Sequence, residues 1–199
     1  MKQFSNFDTI RQTADHDGVT QLPPGAYICR ILATRYIAPV DGKSGQVAIQ
    51  FDISEGSFSN FFRNLYDNNT QPDRKWKGKT VVWEPRDDGT NKDEWTKRTL
   101  ARWVSALEDS NPGYKWDWDE TKWAGKLVGI IFGRVGTVID GTQVEYTEAS
   151  RPTSVNKVRS GDYKIPDFKA KNGYSAVIAA ADDDPATVPI PEAEDIPFL

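Results

Sequence analysis

Apolar and polar positions alternate most cleanly over Gln46–Ile53. Val47, Ile49, Phe51 and Ile53 fall on one side, and Gln46, Ala48, Gln50 and Asp52 on the other. A period of two marks a strand with one face in a core. The run before it, Ala26–Ile37, is rich in β-branched and aromatic residues and follows the turn signal Leu22-Pro23-Pro24-Gly25. With Val40-Asp41-Gly42-Lys43-Ser44-Gly45 as the loop, the two runs predict a hairpin. Phe58–Tyr66 reads as a third strand after the Glu55-Gly56 turn. A polar, basic insertion follows over Asp67–Lys79, then a short strand at Thr80–Trp83 that Pro85 ends. The period changes at Leu100, Trp103, Val104 and Leu107, which stand at i, i+3, i+4 and i+7 and predict a helix with Trp103 in the core. Asp93 is its candidate N-cap, and Asn111-Pro112-Gly113 stops it.

Lys126–Arg134 is a continuous apolar run, expected as a strand covered on both faces. Ile139-Asp140-Gly141-Thr142 is a type I′ hairpin signal, and Gln143–Thr147 returns as the partner strand. Ser154–Arg159 reads as its extension beyond the Arg151-Pro152 break. Three strands, a helix and a hairpin form the element order of an OB-fold. The expected class is therefore mainly β: a five-stranded Greek-key barrel with one helix between strands three and four. An unrelated α+β sandwich is the alternative. The domain plan is an N-terminal extension (1–22), the barrel (23–165), a linker (166–181) and an acidic tail (182–199).

Charge changes the reading of the tail. All 25 Lys and Arg precede residue 182, while six of the 29 Asp and Glu follow residue 181. The body therefore carries +2 and the tail −6. A net charge of −4 averages two unlike parts and says nothing against a nucleic-acid partner. The tail has four prolines and no period, and is expected to be disordered. One cysteine, Cys29, and one histidine, His16, exclude an internal disulfide and a Cys/His zinc site. No apolar run approaches the roughly 20 residues of a membrane span, and Met1–Asn6 lacks a signal-peptide stretch. A cytoplasmic setting is expected. No P-loop, zinc-protease or nucleophile-elbow motif is present, and Gly133-Arg134-Val135-Gly136 is too short for a dinucleotide loop. No cofactor, metal or catalytic residue is expected.

What the chain does have is basic residues interleaved with aromatics. Arg35 and Tyr36 end the first strand, and Arg63 and Tyr66 lie near Phe61-Phe62. Arg74, Lys75, Trp76 and Lys77 sit in the insertion. Trp83 and Arg86 follow, and Arg159, Tyr163 and Lys164 close the body. Aromatic faces stack on bases while Lys and Arg neutralise phosphates along a groove, so this mixture suits single-stranded nucleic acid. Each residue also has a plainer reading as core or as a solvated face. Trp76, flanked by three cations in a segment without a core pattern, is the leading candidate.

The tail ends Asp195-Ile196-Pro197-Phe198-Leu199. An acidic lead-in to an aliphatic and an aromatic suits an apolar pocket rimmed by Lys or Arg on a partner. This tip resembles that of bacterial and phage single-stranded DNA-binding proteins, departing from it where Leu199 follows Phe198. The body is similar to the phage-encoded members in Gly25-Ala26-Tyr27 and Trp123-Ala124-Gly125-Lys126. The resemblance implies a non-enzymatic protein that coats single-stranded DNA during replication or recombination. It also implies that Asp195, Ile196, Pro197, Phe198 and Leu199 recruit replication, recombination or repair proteins. Oligomeric state is left open. A protein-interaction module or recombination accessory factor that does not bind DNA is the alternative, with a metal-dependent nuclease as a third class.

Overall fold

A computed structural model describes residues 21–40 and 44–174. It is mainly β, an open six-stranded sheet with few helices. The elements are β1 (Gly25–Ile37), β2 (Gln46–Ile53), α1 (Phe61–Asn68), β3 (Lys79–Trp83), α2 (Asn91–Ser110), a 3-10 turn (Glu120–Trp123), β4 (Leu127–Ile139), β5 (Thr142–Thr153), α3 (Val155–Ser160) and β6 (Lys169–Ala170). The strands run β3-β2-β1-β4-β5, all neighbours antiparallel, with β6 joining β4 in parallel. The expected tail (182–199) and most of the N-terminal extension lie outside the described residues.

One side of the sheet carries the core. Ile31, Ile49, Phe51, Val82, Val128 and Ile130 are buried there under Trp103, Ala106 and Leu107 of α2, with Trp123 beneath them. Each such side chain contributes about 1.5–3 kcal/mol of transfer free energy. The helical period at Leu100–Leu107 therefore marks the face that closes the core. Its start differs from expectation. α2 begins at Asn91 with Thr90 as cap, and Asp93 lies within the first turn, where its backbone N–H donates to the Thr90 carbonyl at 2.9 Å. The Asp140-Gly141 hairpin has φ of 47° and 79°, the two positive values a type I′ turn requires.

Two strand expectations fail. Phe58–Tyr66 is no strand but a turn running into α1. Phe58, Phe61, Phe62 and Leu65 stand at helical spacing. Turn and helix turn all four toward one core, Phe62 against Phe51 and Phe132 and Phe61 against Phe58 and Phe62, where a strand would send Phe61 and Phe62 to opposite faces. The third strand of the sheet is Lys79–Trp83. Ser154–Arg159 does not extend β5 either. β5 continues past a bulge at Ser150 through Arg151-Pro152 to Thr153, and Ser154 then caps α3, its Oγ accepting from the Lys157 N–H at 3.3 Å. Pro152 is tolerated because β5 pairs only with β4 among the described strands, so its missing N–H costs no ladder bond on the other edge.

β4 is buried on both faces, as its apolar run requires. The second cover is the C-terminal part of the body. A Cβ on Gly129 would stand 2.6 Å from Val158, and one on Gly133 3.2 Å from Pro166. Residues 166–174, read from sequence as the start of a linker, pack here through β6, with Phe168 and Tyr174 against Gly136. No helix among the described residues is long and apolar enough to cross a membrane.

Candidate nucleic-acid interface

The sheet has a second side, opposite the core. Over β4 and the start of β1 it is covered by α3 and the chain after it, which bury Ile28 and Ile131. Over the end of β1, β2 and β3 it is open. Directly paired residues share a face, so the register gives three rows: Ile37–Gln46–Trp83, Arg35–Ala48–Val81 and Ala33–Gln50–Lys79. Arg35, Ile37, Gln50 and Val81 are exposed on it, with Trp83 and Lys79 half-buried. Burial, with repulsion from Lys75, lowers the Lys79 ammonium below its ordinary pKa. An incoming anion would relieve both effects.

At the Gln50–Lys79 end stands a cluster built by α1 and the chain before β3. Arg63 lies over the Trp76 ring at 6.0 Å, Arg74 over Tyr66 at 4.5 Å, and the Tyr66 and Trp76 rings are 5.9 Å apart. Guanidinium and ring faces attract through the ring quadrupole, worth about 0.5–1 kcal/mol at exposed sites. Trp76 is not a free platform. Its indole N–H donates to the Phe51 and Gly78 carbonyls at 3.1 and 3.0 Å, and the ring packs partly on the core. It anchors the cluster and leaves Tyr66, Arg63 and Arg74 as the accessible partners. Lys75 is exposed and Lys77 half-buried beside it.

Sequence reasoning missed the residue that seats this cluster. Asp52 is buried at 6% exposure, and its carboxylate accepts from the Phe62 and Arg63 N–H groups at 3.0 and 3.1 Å and from Ile53 at 2.8 Å. Asn60, the residue before α1, makes no side-chain cap, so a carboxylate from β2 satisfies the helix start instead. Asp52 sits at a position where alternation predicts an outward polar side chain. Its burial therefore had no local signal.

The other candidates separate. Tyr36 shares a face with Val47 and Val82, opposite to Arg35, and its hydroxyl donates to Glu84 at 3.0 Å. That bond raises the phenol pKa. Arg86 clips the end of β3 in place. Its Nε donates to Ser44 at 2.6 Å, its guanidinium is 3.7 Å from Asp88, and its backbone N–H donates to Thr96 at 3.0 Å. Arg159 is neutralised by Glu55 at 3.0 Å, Lys164 lies 3.8 Å from Asp167, and Tyr163 is half-buried. The structure thus gathers Arg35, Trp83, Arg63, Tyr66, Arg74, Lys75, Trp76 and Lys77 on or beside one face, and leaves Tyr36, Arg86, Arg159, Tyr163 and Lys164 in other roles. Asp195–Leu199 lie outside the described residues.

Two exposed aromatics were also missed. Trp118 is 77% exposed at φ 69°, and Trp95 is 55% exposed on α2. The alternation Trp116-Asp117-Trp118-Asp119 was the available signal for the first. Among the described residues, no three His, Cys, Asp or Glu side chains gather as metal ligands would. No family model matches the chain, and no curated protein is significantly similar to it.

Proposed function

We propose that this chain binds single-stranded DNA without strong sequence preference, laying it across the open face of β1, β2 and β3. The observation that carries the reading is the register, which lines Arg35, Lys79 and Trp83 along one solvent-facing surface and ends it at the Arg63–Trp76 and Arg74–Tyr66 stacks. Cations for phosphates beside rings for bases are what a single strand requires. The strand order β3-β2-β1-β4-β5 with a helix between β3 and β4 also supports an OB-fold, a barrel left open between β3 and β5. In that fold the face of the second and third strands takes oligonucleotides. The acidic segment from Asp182 serves in this proposal to recruit replication, recombination or repair proteins in the host cytoplasm, and the chain catalyses no reaction.

Titration with oligo(dT) tests the reading. Trp fluorescence should be quenched, and log affinity should fall with log salt by about 0.7 per phosphate neutralised. No quenching and no binding at low salt would remove it. The second reading, a protein-interaction module that leaves DNA alone, rests on Trp118, an exposed ring outside the open-face rows whose flanking Asp117 and Asp119 are held by Lys122. It predicts protein capture by the body with no response to oligo(dT).

A further inference from the structure

A second basic surface lies at the β5 edge of the sheet, away from the open face of β1, β2 and β3. An open cleft of about 370 Å³ runs between α2 and the junction of β5 with α3. Arg98, Arg102 and Lys157 line it, with Asp109 as its acidic member and Ala101 and Pro152 as apolar floor. Arg98 is shared with Glu94 at 2.8 Å, but neither Arg102 nor Lys157 has an ion-pair partner among the described residues. No aromatic ring lines the cleft, so it offers a base nothing to stack on. A cationic rim over a small apolar floor fits an acidic peptide with aliphatic side chains.

We propose that this cleft docks the chain's own acidic segment, Asp182–Leu199. Six carboxylates and no cation stand there, ending in Ile196, Pro197, Phe198 and Leu199. The body's last described residue, Tyr174, is held near the start of β5 by its hydroxyl bond to Glu145, and the cleft lies at the strand's other end. A 12-residue strand spans about 40 Å, and the chain from residue 175 to 195 extends to about 70 Å. The segment therefore reaches with slack, and tethering supplies an effective concentration of the order of millimolar. A docked segment is hidden from partners, so the cleft sets how much of it is offered. This does not depend on the DNA reading, because no residue that lines the cleft belongs to the open face of β1, β2 and β3.

Carbodiimide coupling of the full-length protein tests it, since the reagent joins a carboxylate to a lysine amine in contact. Peptide mapping should find Asp182–Asp195 carboxylates joined to Lys157 in preference to Lys75, Lys77 or Lys79. The product should fall several-fold in Arg102→Glu, an exposed change, and in about 1 M salt, where screening acts within about 3 Å. A mixture of isotopically light and heavy protein should give same-chain products, and saturating oligo(dT) should leave them unchanged. Coupling mainly at Lys75–Lys79, products indifferent to Arg102→Glu, or only mixed-isotope products would overturn the proposal. Protection of Lys157 by oligo(dT) would overturn it too, and would make the cleft a nucleic-acid track.

Discussion

Replacing Asp52 by alanine should loosen the start of α1 and, with it, the aromatic–guanidinium cluster. The carboxylate accepts from Phe62 and Arg63 in the first turn and from Ile53 at the end of β2. An orphaned buried donor costs about 1–3 kcal/mol, and loss of an N-cap about 0.5–2 kcal/mol. Against this, the variant no longer buries a carboxyl group. The net expectation for Asp52→Ala is about 2–4 kcal/mol of lost stability. With a urea slope of about 1–3 kcal/mol/M, the unfolding midpoint read by Trp fluorescence should fall by about 1 M or more. Asp52→Asn keeps an oxygen for Ile53 and Phe62 and should stay within about 1 kcal/mol of wild type at pH 7.

The same pair of variants has a pH signature. Burial raises the Asp52 pKa above the ordinary aspartate value, outweighing the bonds from Phe62, Ile53 and Arg63 and the nearby Arg63 charge, which lower it. A folded-state pKa above the unfolded one means that the folded chain holds the proton more tightly. That contribution is full below the unfolded value of about 3.9 and is lost as pH rises through the raised folded value. Wild type should therefore lose stability relative to Asp52→Asn over that window. An alanine variant within about 0.5 kcal/mol of wild type would refute the capping role.

Arg35→Ala should weaken oligo(dT) binding and reduce the salt slope by about 0.7, while Tyr36→Phe, on the opposite face, should change neither. Equal losses from the two would contradict the register. Tyr66→Ala should cost about 1–3 kcal/mol of oligo(dT) affinity with little effect on the unfolding midpoint, measured by fluorescence titration and urea. Unchanged affinity would remove Tyr66 from the interface. Gly136→Val places its Cβ within 2.8 Å of Phe168 and Tyr174, so residues 166–174 should lift and trypsin should cut faster at Lys169 and Lys171. An unaltered cleavage rate would deny that packing.

Strands and helices whose cover is continuous were legible from sequence. β2 alternates because one face meets α2 and the other meets solvent, and β4 is apolar throughout because α3 and residues 161–174 cover its second face. α1 was misread although Phe58, Phe61, Phe62 and Leu65 carried a helical period. The aromatic composition argued for a strand, and the acceptor that permits the helix lies on β2, far from any local cap. Trp76 was legible as part of a site and not as an anchor, because the carbonyls that hold its indole belong to Phe51 and Gly78. A side chain's neighbours in sequence give its charge environment, while its exposure is set by packing.

The orientation of the interface turns on one residue that no periodicity reveals. Cys29 and Ile31 pair with Ile53 and Phe51 in the core. Strict alternation from them would bury Arg35 and present Tyr36. β1 instead carries a bulge at Leu32, since Ile31 pairs with Phe51 and Ala33 with Gln50. One extra residue reverses every side chain after it. Arg35 is thereby turned onto the open face beside Val81 and one row from Trp83, and Tyr36 is turned toward Glu84. Deleting Leu32 should remove the bulge while keeping Ala33 opposite Gln50 and Arg35 opposite Ala48, and so leave the oligo(dT) sensitivity with Arg35. A deletion variant that folds and depends on Tyr36 instead of Arg35 would show that Leu32 is not the extra residue that sets the face.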